Sequence, residues 1–182
     1  MAWTTPLTAV ANAAFTAAQF NASVRDNLLE TGPAKATTAG SIFAATGTNA
    51  IGERIPTGAT VATAQSTSTT ASYGDLTTVG PTLSSLTTGT KSILFLAAQI
   101  ENSTAGAGGY MGFNVSGAST IAASDDRSLR VISGSAGERN RVSCVVFQTG
   151  LTGGSNTFTA KYTTPTGGTA TFQYREMSVI PL

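Results

Sequence analysis

The side chains that carry most enzymatic and metal chemistry are sparse in this chain of 182 residues. It has no histidine, and Cys144 is its only cysteine. These absences exclude Ser-His-Asp and Cys-His catalysis and histidine-ligated zinc, and no disulfide can form within one chain. Because Cys144 lies in the apolar run 142–147, we expect it to be a buried, unreactive thiol.

Carboxylates are the remaining candidates for acid–base chemistry or glycoside cleavage. Asp125 and Asp126 are adjacent, whereas Glu101 and Glu138 stand alone. Adjacent carboxylates beside Arg127, between two strand candidates, are typical of a solvated turn. A calcium site using Asp125, Asp126 and loop carbonyls is the alternative, because calcium accepts irregular oxygen cages. Sugar hydrolysis needs two carboxylates about 5–9.5 Å apart. No pair fits convincingly, so the sequence predicts a non-enzymatic protein without a cofactor.

Arginines and aromatic residues are the candidates for ligand recognition without catalysis. Four arginines are close in the sequence: Arg127, Arg130, Arg139 and Arg141. Arg139 and Arg141 are candidate surface contacts with a partner or a glycan, against the plainer interpretation of a solvated loop. The aromatics that could stack on sugar rings are Trp3, Tyr110, Tyr162 and Tyr174. Core or interface positions are the alternative for these four.

The composition favours a β-rich protein whose surface is covered by hydroxyls and small residues. Charged residues make up 10% of the chain, 41% is hydrophobic, and the formal net charge is +1. An average globular protein is about a quarter charged, and a disordered chain combines high net charge with few apolar residues. The lack of a basic run argues against a nucleic-acid partner.

No segment of the sequence has the pattern of a membrane span or a leader. No apolar run reaches the ~18 residues that a spanning helix needs. The N-terminus lacks the basic start and the apolar core of a signal peptide. We therefore expect a protein that is made and assembled in a cytoplasm.

Residues 15–33 are the one segment that reads clearly as a helix. Thr16 is a candidate N-cap, with Gln19 placed to close a capping box. Phe15 and Phe20 are spaced for a hydrophobic staple across the first turn. The pair Gly32-Pro33 is a predicted stop signal.

The predicted helix has a narrow apolar stripe. Phe20, Val24 and Leu28 repeat every four residues on one side. A stripe of this width is too small to form a core alone, so the helix needs a partner. Three copies of the helix would bury the stripe together, with Phe15 beside it.

The pattern of the chain changes near residue 56. Residues 1–56 read as an arm, a helix and a connector, the last expected to become ordered against other chains. From residue 57 to 182 the apolar pattern has period two. Strand candidates follow at short intervals, among them residues 76–79, 82–86, 91–100, 120–123 and 141–147. About eight strands at such spacing predict a mainly β fold with an antiparallel, jelly-roll-like β-sandwich as its head.

Two parts of the sequence resemble a known group of proteins. The segment 20–31 is similar to the N-terminal segment of minor tail and fibre-like structural proteins of phages infecting actinobacteria. The segments 149–162, 167–172 and 179–182 are similar to the C-terminal end of the same proteins. The resemblance implies a trimeric virion surface protein with an N-terminal anchor and a C-terminal β head, and it implies no catalytic residue.

The hypothesis from the sequence is a homotrimeric phage structural protein, assembled in the host cytoplasm and located in the virion. Its predicted trimer and anchor interface is formed by Phe15, Phe20, Val24 and Leu28. Its partners are other copies and other virion proteins, and loops of the head could contact a host surface glycan. A capsid decoration protein or head fibre is the closest alternative, and a carbohydrate-binding module is the second.

Overall fold

The computed structural model describes residues 4–8 and 10–182. The chain forms two compact units, Met1–Ile55 and Pro56–Leu182. We call them the N-terminal unit and the head. No helix within the described ranges is long and apolar enough to span a membrane. Trp3, one of the four aromatics considered for sugar stacking, lies outside the described residues.

The start of the N-terminal helix is confirmed at the level of single hydrogen bonds. Helix α1 spans Ala17–Phe20. The Gln19 backbone N–H donates to Thr16 Oγ1 at 3.2 Å, and Gln19 Oε1 accepts from the Thr16 backbone N–H at 2.9 Å. The rings of Phe15 and Phe20 meet edge to face with centroids 6.0 Å apart. The predicted capping box and hydrophobic staple are therefore both present.

The end of the helix differs from the expectation. A π-helical turn, Asn21–Arg25, leads into α2, Asp26–Leu28. The pair Gly32-Pro33 was expected to stop the helix, but Gly32–Lys35 forms a further turn, α3, with the proline in its first turn. Proline is well suited to that position, because its fixed φ is helical and its missing N–H has no helical partner there anyway.

The segment expected to be a connector contains a hairpin. Strands β1, Ile42–Gly47, and β2, Ala50–Arg54, pair antiparallel. Asn49 adopts a φ of 54° in the turn between them, a conformation that asparagine tolerates better than most residues. Local turn chemistry thus gives this segment regular structure within one chain, which the sequence did not predict. That the segment becomes ordered against other chains stays a prediction.

The head is an antiparallel β-sandwich, as predicted. Its strands are β3 Thr57–Val61, β4 Gln65–Thr67, β5 Thr82–Thr88, β6 Lys91–Asn102, β7 Gly108–Gly117, β8 Leu129–Ile132, β9 Asn140–Thr149, β10 Gly154–Thr163 and β11 Ala170–Pro181. One sheet has the order β3-β11-β6-β9, with β4 also on β11, and the other has the order β5-β10-β7-β8. This interleaving of early and late strands in two sheets is a jelly-roll arrangement.

The core lies between the two sheets and follows the period-two pattern. Phe158, Ala160 and Tyr162 on β10 are fully buried. Tyr162 packs on Phe172 of the facing sheet, with ring centroids 4.8 Å apart. Leu94, Leu96, Ala98 and Ile100 of β6, a strand predicted from its continuous apolar run, complete the same layer. The alternation therefore positions β6 and β10 with one face each in the core.

Two predicted strands are absent. Residues 76–79 form no strand. The Gln65 side chain bonds to this segment: its Nε2 donates to Thr78 Oγ1 at 2.7 Å, and its Oε1 accepts from the Thr78 N–H at 2.9 Å. Leu76 is nevertheless buried in the core. Within residues 120–123, only Ile121 pairs, through an isolated bridge to Val115.

Candidate functional site

The described part of the N-terminal unit exposes its large apolar side chains instead of burying them. The exposed members form what we call the N-terminal apolar surface: Leu7, Val10, Phe15, Phe20, Val24, Leu28, Leu29, Phe43 and Ile55. Among the described residues of this unit, only the polar Asn27 is buried. The unit thus has no hydrophobic core of its own in the described ranges, and exposed apolar clusters of this kind mark interaction surfaces.

Asn27 holds the N-terminal arm against the helix. Its Oδ1 accepts from the Thr4 N–H at 2.9 Å and from the Thr4 hydroxyl at 3.0 Å. Its Nδ2 donates to Thr4 O and to Ser23 O, each at 3.1 Å. Both ends of the amide are therefore satisfied, which explains why a polar side chain is the buried one. Neither Asn27 nor its role was identified from the sequence.

The fastened arm and the helix enclose an open apolar groove of about 450 Å³. Leu7, Val10 and Phe15 line it from the arm side, and Val24 lines it from the helix. Of the four predicted interface residues, Phe15 and Val24 thus belong to the groove, while Phe20 and Leu28 lie outside its lining with exposed fractions of 48% and 60%. Their contact with other copies stays a prediction.

Glu53 fixes the loop that precedes the hairpin. Its carboxylate accepts from the backbone N–H groups of Thr37 at 3.0 Å and Thr38 at 2.8 Å, and from the hydroxyls of Ser41 at 2.6 Å and of Thr37. Hydrogen bonds to the charged form favour ionisation. The Ser41 hydroxyl, followed by the Thr37 hydroxyl and the Thr38 amide, lowers the pKa of Glu53 from 4.5 to about 2.

This carboxylate gives the N-terminal unit a defined response to acid. The pKa of Glu53 is lowered in the folded chain. The contribution of its carboxylate to the stability of the fold is therefore fully present above pH 4.5, and it is lost as the pH falls through about 2. We expect the Glu53 carboxyl signal in NMR to titrate near pH 2, and hydrogen exchange at the Thr37 and Thr38 amides to accelerate there. Glu53→Gln should accelerate the same exchange at neutral pH, whereas Glu176→Gln in the head should not. A midpoint near 4.5 would contradict this assignment.

The second candidate surface is the outer face of the head sheet β3-β11-β6-β9. Strand register places its side chains in rows of three across β11, β6 and β9. The rows, from one end of the face to the other, are Gln173-Gln99-Arg141, Glu176-Ala97-Ser143, Ser178-Phe95-Val145 and Ile180-Ile93-Phe147. The face therefore changes from polar to apolar along its strands, and we call its two halves the polar end and the apolar end.

A β-bulge in β11 adds an aromatic ring to the polar end. The register of β11 against β6 shifts between Gln173 and Glu176. Tyr174 is the extra residue, with a φ of 49° and an exposed side chain, while Arg175 turns inward and is fully buried. Because the bulge shifts the alternation by one residue, Gln173, Tyr174 and Glu176 all face outward.

Both predicted surface arginines lie at the polar end, each paired with a glutamate. Arg141 Nη2 is 2.9 Å from Glu176 Oε1, and its guanidinium lies 5.6 Å from the centre of the Tyr174 ring. Arg139 Nε donates to Glu101 Oε2. The side chains of Arg139 and Arg141 are 64% and 47% exposed, respectively. The structure thus brings the two arginines together with polar partners from β6 and β11 that lie far away in the sequence.

The apolar end continues the face without a break. Phe95, Val145 and Phe147 are 43%, 63% and 57% exposed, respectively. They lie in adjacent rows, with Phe95 opposite Val145 and Phe147 opposite Ile93. Cys144, on the same strand, points to the other side and is half-buried against the core, and burial raises the pKa of its thiol. The thiol is therefore kept protonated, although Cys144 is half-buried and not fully buried as the sequence predicted.

The remaining predicted site residues form contacts within the chain or are buried. Asp125 accepts from the Tyr73 hydroxyl at 2.8 Å, and the Ser124 hydroxyl lowers the pKa of Asp126. No group of three histidine, cysteine, aspartate or glutamate residues suited to a metal ion occurs in the described ranges. Tyr110 and Tyr162 are buried, so Tyr174 is the one of the three described tyrosines proposed for sugar stacking that is exposed.

Comparison with known proteins yields weak likenesses only. No family model matches the chain, and no curated protein matches it. A chain in the structure of infectious bursal disease virus, Gx strain, is 12% identical over 72% of this chain, with a TM-score of 0.43, and this chain spans 33% of its length.

Carbohydrate-binding modules are also among the similar structures. A family 35 module from Clostridium thermocellum is 18% identical, with a TM-score of 0.34, over 66% of this chain and 97% of its own. A module from the Cellvibrio mixtus lichenase 5A, in complex with cellotriose, is 11% identical, with a TM-score of 0.32, over 81% of this chain and 92% of its own. At these values the likenesses add nothing about function.

Proposed function

We propose that this protein is a structural component of a phage virion, held in the particle by its N-terminal unit and displaying its head. The N-terminal apolar surface is the observation that carries the proposal. In the described ranges the unit buries one polar side chain and leaves its large apolar side chains in solvent. Such a surface costs free energy unless another protein covers it. The resemblance of segment 20–31 to minor tail and fibre-like proteins supports the same conclusion.

The partner that we propose first is the same helix in two further copies. Phe20, Val24 and Leu28 present a stripe that three helices can bury around an axis. The low charge of the chain, with a net charge of +1, adds little repulsion between identical copies. Val24 also lines the groove between arm and helix, so the same contact would cover the helix side of that groove.

The place in the virion follows from the resemblance alone, which favours a minor tail or fibre protein. A capsid decoration protein or head fibre uses the same anchor and differs only in the surface to which it is attached. Gold-labelled antibodies against the head, applied to intact particles of the phage that encodes the chain, distinguish the two. Label on the tail supports the proposal, label on the capsid supports the alternative, and unlabelled particles overturn both.

The trimer has a separate test in solution. Native mass spectrometry of the full chain at micromolar concentration should give three times the chain mass of 18.3 kDa. A monomer at that concentration would contradict the trimer. A dimer would contradict the three-helix arrangement while leaving association through the N-terminal unit to be tested by substitution.

A further inference from the structure

We propose that the polar end of the outer face of the head is a binding site for a neutral saccharide. The proposal concerns only the head, and it stands or falls independently of how the N-terminal unit is anchored. It rests on three observations: an exposed tyrosine in a strained conformation, two arginines paired with glutamates, and a row of side-chain amides between them.

Tyr174 is the central observation, because the fold requires the bulge but not the tyrosine. The bulge lets Arg175 turn into the core. An asparagine or glycine would adopt a φ of 49° at lower cost than tyrosine does. A bulky residue that holds a strained backbone conformation is a reason to look for a function at that position. Here it holds a 43% exposed ring at the surface of the sheet, and aromatic rings stack on the C–H faces of sugars.

The polar groups around the ring suit hydroxyls. A sugar hydroxyl both donates and accepts, so it is recognised best where donors and acceptors alternate. Gln99 and Gln173 are directly opposite each other on β6 and β11, and Arg141 lies opposite Gln99 on β9. Beyond this row, Glu101 and Arg139 line a small pocket together with both glutamines. Amides, guanidinium groups and carboxylates thus alternate across about three strands, a width of roughly 10 Å at 4.8 Å between strands.

The pairing of charges selects a neutral ligand over an acidic one. Arg141 is paired with Glu176 and Arg139 with Glu101, so these four charges cancel. An acidic sugar would have to displace a glutamate from its arginine and would meet that glutamate's charge. A neutral sugar instead adds hydrogen bonds to ion pairs that already hold the side chains in place, which lowers the entropy cost of binding.

The test uses the full chain and immobilised polysaccharides. Biolayer interferometry on neutral β-glucan, galactan and mannan, with acidic alginate as the charged probe, measures apparent affinity. We expect binding to at least one neutral polysaccharide and none to alginate. Tyr174→Asn removes the ring but tolerates the positive φ, and Arg141→Gln removes the guanidinium. Each should weaken binding about tenfold, the loss of one good contact.

A matched control is available on the opposite sheet. Arg130 lies 5.6 Å from the centre of the Tyr110 ring, the same distance as in the Arg141–Tyr174 pair. Arg130→Gln should therefore leave binding unchanged if the polar end is the site. The proposal is overturned if the wild-type chain binds none of the three neutral probes, if it binds alginate best, or if all three variants behave alike. Circular dichroism and thermal unfolding of each variant show that a loss of binding is not a loss of fold.

Discussion

Replacing Leu28 by aspartate is expected to leave the full chain monomeric at concentrations at which the unmodified chain forms the proposed trimer. Leu28 is 60% exposed in the single chain, so the substitution should not disturb the helix itself. In a three-helix contact the same position is buried, and each copy would place an unpaired carboxylate near the axis. Burial of one unpaired charge costs several kcal/mol even after relaxation, which weakens association by roughly a hundredfold or more.

Leu29 provides the control for this experiment. It is 57% exposed and differs from Leu28 chiefly in direction, because the next residue of a helix points about 100° away. Leu29→Asp should therefore retain most of the trimer. Light scattering after size-exclusion chromatography, over a range of concentrations, measures both variants. Equal loss in the two would show that the Phe20-Val24-Leu28 stripe is not the specific contact. No loss in either would exclude this part of the helix from the association.

Replacing Arg175 by methionine is expected to destabilise the head by about 3 kcal/mol, a value typical of breaking a buried polar network. Arg175 is fully buried, and its guanidinium lies 5.4 Å from the centre of the Tyr162 ring. It donates to the carbonyl oxygens of Thr63, Thr78 and Gly80 at 3.3–3.4 Å. Methionine has a similar apolar stem but no donors, so these carbonyls would lose partners in the interior.

The contacts of Arg175 explain why a cation is tolerated there. Gly80 O also accepts from the Tyr162 hydroxyl at 2.8 Å, so the arginine and the tyrosine together hold the segment between β4 and β5 onto the sandwich. Burial raises the pKa of Tyr162 to about 12, despite the opposing effect of Arg175. The tyrosine is thus neutral at ordinary pH, and the cation is stabilised by carbonyl dipoles and the ring rather than by a tyrosinate.

Urea unfolding of the full chain measures this effect, with Arg130→Met as the control. Arg130 contacts an aromatic ring at nearly the same distance but is exposed, so its loss should change the free energy of unfolding by less than about 0.5 kcal/mol. Equal stability of the Arg175→Met and unmodified chains would show that the carbonyl contacts contribute nothing. A loss that is as large in Arg130→Met would show that the effect does not depend on burial.

Features that depend on neighbouring residues could be predicted from the sequence. The capping box of Thr16 and Gln19 and the contact of Phe15 with Phe20 are examples, because each joins residues three to five apart. The period-two pattern of the head likewise predicted strands with one buried face, as Phe158, Ala160 and Tyr162 of β10 show. Turn chemistry was judged less well. Asn49 allowed a hairpin where a connector was expected, and Gly32-Pro33, predicted as the stop signal of the helix, lies in a further helical turn instead.

The candidate sites could be predicted only in part, because their members come from distant parts of the chain. Arg139 and Arg141 were identified as candidate contacts and Tyr174 as one of four aromatics that could stack on sugars, but Glu176 was not identified, nor was the grouping of these residues. The register of β9, β6 and β11 brings them together, and one extra residue in β11 decides that Tyr174 faces outward and Arg175 inward. A strict period of two along β11 would turn Tyr174 toward the core and Arg175 toward the solvent. Asn27 was missed for a similar reason, since its partner Thr4 is 23 residues away.

The sequence by itself determined the class of the molecule: a low-charge, mainly β head, preceded by a capped helix whose apolar stripe has no partner within the helix. These properties follow from composition, from periodicity and from hydrogen bonds between near neighbours, all of which are local. The tertiary structure alone decided the jelly-roll order of the strands, the groove between arm and helix, and the polar end of the outer face. These depend on which distant strands pair and in which register, and many pairings are compatible with the same alternation of apolar residues.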